Sequence, residues 1–309
     1  MRKPKLIVIT GPTASGKSAL AVSLAQRLET EIISADSRQI YQGIPIVTAV
    51  PTEEEKGGIK HHLLEILPLD SYYSAAKFQE DADTLLKNIF QEKETAIVCG
   101  GSMLYIDTLT KGIDDLPTVP DKIRKTLDKD WKEKGNSWLL ERLKELDPEY
   151  YKKVDLNNLK RVFHAIEITM TAGVPYSSLL TNNSTQRDLP FEVVKFCLSG
   201  DRTLLFDRIN NRVDSMVERG LEKEALEVYS LRHLNSLNTV GLKELFQLFD
   251  GSLSRSEAIA RIQKNTRVYA KKQLTWHKRD NDLSYLDFSD SLLKNIETIL
   301  NKIRNHNLK

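Results

Sequence analysis

Short apolar runs rich in β-branched residues recur along the chain at residues 6–10, 31–35, 95–99 and 193–198, with a weaker run at 283–288. Between them lie longer stretches in which apolar residues return at helical spacing. The pattern predicts helices near 17–29, 74–91, 103–109, 203–218, 221–231 and 254–278, with Ser74 and Ser254 as N-caps. Strands alternating with helices in this way imply an α/β fold, a parallel sheet with helices on both faces.

Between about Leu116 and Leu189 the strand signal disappears. The chain there is charged, carries Trp and Tyr, repeats with a helical period and is bounded by Pro117, Pro120 and Pro190. We read residues 118–190 as a helical insertion between two parts of one core, 1–117 and 191–309. Residues 181–188, TNNSTQRD, are polar and aperiodic and are expected to form a mobile loop returning to the core.

A length of 309 residues suits one core with such an insertion, and 40% hydrophobic with 28% charged residues argues against long disorder or a membrane protein. No apolar run approaches a membrane span, so a cytoplasmic location with no membrane partner is expected. Cys99 and Cys197 lie in strand-like runs without ligand spacing and read as buried reduced thiols; His61 and His62, being adjacent, do not match the spacing of a metal pair on a helix.

The strongest chemical signal is GPTASGKS, formed by Gly11, Pro12, Thr13, Ala14, Ser15, Gly16, Lys17 and Ser18. It follows a predicted strand and opens a predicted helix, the setting a phosphate loop requires. Backbone N–H groups and the helix N-terminus would surround phosphate oxygens, Lys17 would neutralise them, and the Ser18 hydroxyl could ligate Mg²⁺. The core is therefore expected to be of the P-loop, nucleotide-kinase-like kind. The 95–99 run ends in GGS and lacks the acid of a motor-type NTPase, whereas an acid does end the second strand. Asp36 would project from the carboxyl edge of the sheet toward the loop, as a candidate base, with a helix-capping role as the alternative. Ser37, Arg38 and Gln39 carry groups suited to a nucleobase edge or a backbone phosphate.

Arg208 and Arg212 are four residues apart on one predicted helical face, which could clamp a diphosphate or be merely solvated. The net charge of +2 conceals a basic stretch from Arg255 to Arg279, in which eight Lys or Arg (255, 261, 264, 267, 271, 272, 278, 279) face one acid, Glu257. Lys264, Arg267, Lys271 and Lys278 share a face, while Ile259, Ile262, Tyr269 and Trp276 lie on one expected to pack on the core. Such a stripe suits a nucleic-acid backbone, although a solvated basic helix has the same pattern.

Taken together, GPTASGKS, ISADSRQIYQGIPIVTAVPT, HHLLEI, GGSMLYIDTL, KRVFHAIEI, DRTLLFDRINNRVDSMVERGLEKE, TVGLKEL and TRVYAKKQLTWHKR, in this order, resemble the tRNA dimethylallyltransferases, or tRNA isopentenyltransferases, of bacterial type. The resemblance runs nearly end to end. It implies a prenyltransferase that takes dimethylallyl diphosphate at residues 13–18 and transfers its allyl group to N6 of the adenosine just 3′ of the anticodon. Asp36 would be the base, Lys17 and Arg212 would stabilise the departing diphosphate, and Mg²⁺ would be the cofactor. It further implies tRNA contacts from Asp36, Ser37, Arg38, Gln39, Ser102 and Arg124, and from Lys160, Arg161, Val162, Phe163 and His164. The partner would be the anticodon stem-loop, and a monomer is expected. Ser102 stands where the family more often has Thr, which keeps the hydroxyl. His164 stands where it usually has Arg, which makes that positive charge depend on pH. Alternatives are a prenyltransferase acting on free adenylate, a P-loop kinase for a nucleotide or small metabolite with ATP as donor, and a non-catalytic RNA-binding protein.

Overall fold

The computed structural model describes residues 3–114, 116–180 and 187–305. Among these, six strands form one parallel sheet: β1 (Lys5–Thr10), β2 (Ile32–Ser34), β3 (His61–His62), β4 (Thr95–Cys99), β5 (Glu192–Ser199) and β6 (Leu283–Asp287), in the order β3-β2-β4-β1-β5-β6. Every residue of β1 is buried, and successive side chains serve opposite faces. Leu6 and Val8 join one apolar cluster with Ile33 and Val98, while Ile7 and Ile9 join another with Ile97 and Phe196. This is why the strands read as continuous apolar runs, with each buried Leu, Ile or Val contributing about 1.5–3 kcal/mol.

The helices of this part are α1 (Lys17–Leu28), α2 (Pro45–Thr48), α3 (Glu53–Lys56), α4 (Ala75–Glu92) and α5 (Met103–Lys111) in the first half of the chain. The Ser74 hydroxyl caps α4 by accepting the Lys77 N–H at 3.1 Å, as its sequence position predicts. The chain folds into two compact units, one of Met1–Thr110 with Asp188–Lys309 and the other of Lys111–Arg187. The pattern of the sequence places those boundaries at 118 and 190. Of the loop expected at 181–188, residues 181–186 lie outside the described residues.

The smaller unit is helical: α6 (Asp121–Leu146), kinked at Gly135, then α7 (Pro148–Lys153), α8 (Leu159–Ala172) and α9 (Tyr176–Leu179). Leu127, Leu139, Leu143, Val162, Ala165 and Ile166 form its core. Asp147, 1% exposed, is fully engaged there, its carboxylate accepting the N–H groups of Tyr150 and Ser177 and the Ser177 hydroxyl.

After β5 the larger unit continues with α10 (Arg202–Glu218), α11 (Leu221–Glu227), α12 (Leu242–Phe249), α13 (Arg255–His277) and, beyond β6, α14 (Leu292–Asn305). Ser254 and Glu257 close a capping box on α13. His61 and His62 form the short strand β3, where His62 meets Glu31 at 2.6 Å and His61 Nδ1 lies 2.9 Å from the Ile59 carbonyl. Cys99 and Cys197 are buried free thiols, which burial pushes up to about 11 and about 12. Among the described residues no helix is long and apolar enough to cross a membrane.

Candidate active site

Beyond the carboxyl edge of the sheet, residues 11–16 leave β1 and turn into α1. Gly11 has φ 150, and a Cβ built on it would lie 2.8 Å from the Leu198 carbonyl oxygen, so no side chain fits where the loop crosses β5. Gly16, at φ 87, stands at the N-cap of α1 without a side-chain cap, leaving the first amides of that helix for a ligand.

Four cavity residues come from three places in the fold. Lys17 and Ser18 open α1, Asp36 follows β2, and Arg212 comes from α10; all line one cavity of about 620 Å³. Burial pushes Lys17 below the ordinary lysine range; Arg212 adds to this and Asp36 opposes it. Burial likewise lowers Arg212, against the pull of Asp36 and Glu55. Two desolvated cations beside one carboxylate form a region that an anionic ligand would stabilise. The remaining lining includes apolar Val213, Met216, Val240 and Ile262.

Asp36 both braces its own turn and lines the cavity. Its Oδ1 accepts the backbone N–H groups of Arg38 at 2.9 Å and Gln39 at 3.4 Å, which fixes the turn, while the carboxylate lines the cavity. Neighbouring side chains also line the cavity but are engaged in bracing it. The Ser37 N–H donates to the Ser102 hydroxyl at 2.8 Å. Arg38 donates to the carbonyls of Asn235, Ser236 and Asn238, and the Gln39 amide donates to those of Thr48 and Ala49 and accepts the Ser34 hydroxyl.

Within the helical unit, Arg124 and His164 both meet Glu167, at 2.9 Å each, and Glu167 is only 4% exposed. Burial alone would raise this carboxyl, but the hydrogen bonds from His164 and Arg124 hold it below its ordinary value. Lys160 and Arg161 are exposed and Phe163 is half-buried against Trp131, with ring centroids 5.5 Å apart.

The IPP transferase family model matches residues 39–280. The chain belongs to the IPP transferase family. A relative from Parabacteroides distasonis named tRNA dimethylallyltransferase 2 is 48% identical over 91% of this chain and 93% of its own length. Among solved structures, the full-length tRNA isopentenylpyrophosphate transferase of Bacillus halodurans superposes with a TM-score of 0.72 at 34% identity, covering 98% of this chain and 96% of that one. A eukaryotic dimethylallyltransferase acting on tRNA gives a TM-score of 0.78 at 28% identity, over 93% of this chain and 74% of that one. These relatives favour a prenyltransferase over a kinase.

In this IPP transferase three expectations require correction. Val162 is fully buried in the core of the helical unit, so its side chain packs there and is not open to a tRNA. Arg208 does not join Arg212 at the cavity: its guanidinium lies over the Phe288 ring at 4.7 Å and donates to the Phe288 carbonyl at 3.3 Å. Tyr269 does not pack on the core; it is 41% exposed and lines the cavity, where burial of its hydroxyl and the charge of Asp36 push the phenol up to about 12. Its helical stripe does turn inward, but at Tyr269 that stripe meets the cavity, while the adjacent Ala270 packs in the apolar core.

Other residues that shape the site escape a reading of the sequence. Glu224, 6% exposed, accepts the N–H groups of Ile46 and Val47 at 2.6 and 2.8 Å, and Glu244 accepts from the Gly241 N–H and the Asn265 amide. Gln273 and His277 on α13 reach the phosphate loop and the end of β1. The one signal for them in the sequence is a polar residue on a stripe that otherwise turns inward.

Proposed function

We propose that the protein transfers the dimethylallyl group of dimethylallyl diphosphate to N6 of the adenosine immediately 3′ of the anticodon in tRNA, releasing diphosphate. The observation that carries this reading is the convergence of Lys17, Ser18, Asp36 and Arg212 on one cavity in a member of this family.

The adenine amine is a weak nucleophile, because its lone pair is delocalised into the ring. A carboxylate that takes its proton makes attack on the allylic carbon feasible. Asp36 fits that role: hydrogen bonds to Oδ1 fix the carboxylate, which faces the same cavity as the cations. As the N6–carbon bond forms and the carbon–oxygen bond to diphosphate breaks, negative charge gathers on the leaving group. Lys17, Arg212 and the amides opening α1 stabilise it. The Ser18 hydroxyl, exposed in the cavity, is an oxygen ligand of the kind Mg²⁺ accepts beside phosphate oxygens and water. When bound there, the ion would supply further positive charge to the leaving diphosphate.

The anticodon stem-loop is held, in this reading, by exposed Lys160, Arg161 and His164 with Arg124 and Phe163 on the helical unit, and by the basic residues of α13 on the larger one. The target base leaves its stack to reach Asp36. The enzyme works as a monomer in the cytoplasm.

Incubation with dimethylallyl diphosphate, ATP, Mg²⁺ and either undermodified tRNA or AMP tests the reading, through the prenylated base and through any phosphate transferred from ATP. Product with tRNA and not with AMP is expected. Product with AMP alone would make it an adenylate prenyltransferase, and phosphate transfer from ATP without prenylation would restore the kinase.

A further inference from the structure

Gln273 is 1% exposed and bridges the loop after β1 and the loop after β4. Its Oε1 accepts the Thr13 N–H at 2.9 Å, and its Nε2 donates to the Gly101 carbonyl at 2.9 Å. A Cβ built on Gly101 would lie 2.5 Å from Nε2 and 3.8 Å from Lys17 Cε, so a side chain there would displace the Gln273 amide. One phosphate-loop amide is therefore committed to a side chain of α13 and not to a ligand. The Gly101 carbonyl has its hydrogen bond from Gln273, while the Lys17 ammonium donates to the Pro12 carbonyl at 3.3 Å within the same loop.

We infer that Gln273 is a positioning residue for the donor diphosphate, holding the crest of the phosphate loop against the loop at Gly101. The inference rests on the reading that this loop takes a diphosphate. A primary amide offers an acceptor and a donor on the two arms of one planar group, as these two loops require. Methionine has a similar length and offers neither strong bond. Glutamate keeps the acceptor for Thr13, loses the donor for Gly101 and adds negative charge near the diphosphate. Leaving buried partners unmatched weakens an interaction by about tenfold to a hundredfold.

The test measures inorganic pyrophosphate binding by calorimetry and the KM for dimethylallyl diphosphate and for tRNA in the wild type, Gln273→Met and Gln273→Glu, with thermal unfolding alongside. Expected are pyrophosphate affinity lowered and donor KM raised about tenfold or more in both variants, with the KM for tRNA within about threefold of wild type. A purely structural role would lower the active fraction and kcat and leave donor KM where it was; that result in a folded variant overturns the inference. If Gln273→Met fails to fold, Gln273→Glu, which keeps the size and the Thr13 bond, decides. If neither folds, Gly101→Ala decides, because its Cβ pushes the amide away from the loop: an unchanged donor KM overturns the inference and a raised one supports it. A wild type that binds neither pyrophosphate nor dimethylallyl diphosphate would overturn the diphosphate reading itself.

Discussion

The Thr10 hydroxyl and His277 Nε2 lie 3.0 Å apart at the carboxyl end of the central strand. Thr10 also donates to the Gly100 carbonyl at 3.1 Å, which uses its only proton, so we assign the imidazole proton to Nε2, donating to the Thr10 oxygen. Nδ1 is buried and has no partner among the described residues. Burial, with Lys17 nearby, lowers His277 from 6.5 to about 4, so the ring is neutral beneath the phosphate loop.

A depressed histidine makes stability depend on pH in one direction. The folded state takes up its proton less readily than the unfolded chain, so the contribution of His277 is complete above about pH 6.5 and is lost as pH falls toward about 4. The loss should amount to about 3 kcal/mol. Unfolding followed between pH 7.5 and 4 in the wild type and in His277→Gln should show this extra decline in the wild type alone; parallel curves would mean the ring titrates as it does in water.

The basic face of α13 divides in the structure. Lys264, Lys271 and Lys278 are exposed, whereas Arg267 is half-buried and donates to Asn210. Changing the three lysines to Gln should flatten the salt dependence of tRNA binding, by about one in slope for each phosphate that is no longer neutralised. Arg267→Gln should act more on stability. An unchanged slope in the triple variant, from affinities measured across a salt series, would make the helix face merely solvated.

Glu167 holds Arg124 and His164 together, and two of its bonds carry charge. Glu167→Gln should weaken tRNA affinity by about tenfold, as expected for weakening a charge-assisted bond worth about 1.5–3 kcal/mol, and leave the donor KM unchanged. Equal tRNA affinity in equilibrium binding would mean that Arg124 and His164 serve only the packing of α6 against α8.

What the sequence makes legible follows from physical scale. β4 is readable to the residue, because a strand buried on both faces is an unbroken apolar run. β3 has two residues and α12 eight, which is too little chain for a period to stand out. The phosphate loop and Asp36 are visible because their motif and its strand-to-helix setting are local. Gln273, Glu224 and Glu167 are not, because each acts on partners far along the chain or on a neighbouring helix, as Gln273 does on Thr13 and Gly101. Tyr269 reads as a core residue because periodicity reports which face turns inward, and not whether a cavity waits there.

The central claim is that Asp36 accepts the proton of the adenine amine. Single-turnover prenylation with saturating tRNA and dimethylallyl diphosphate measures it directly, since slow product release cannot then hide the chemical step. Asp36→Asn keeps the size of the side chain and an oxygen for the Arg38 and Gln39 amides, so the turn should persist and tRNA binding should change little. The expected rate is roughly 10² to 10⁴ below wild type. Prenylation by the Asn variant at the wild-type single-turnover rate would contradict the claim and leave Asp36 as the cap of its own turn.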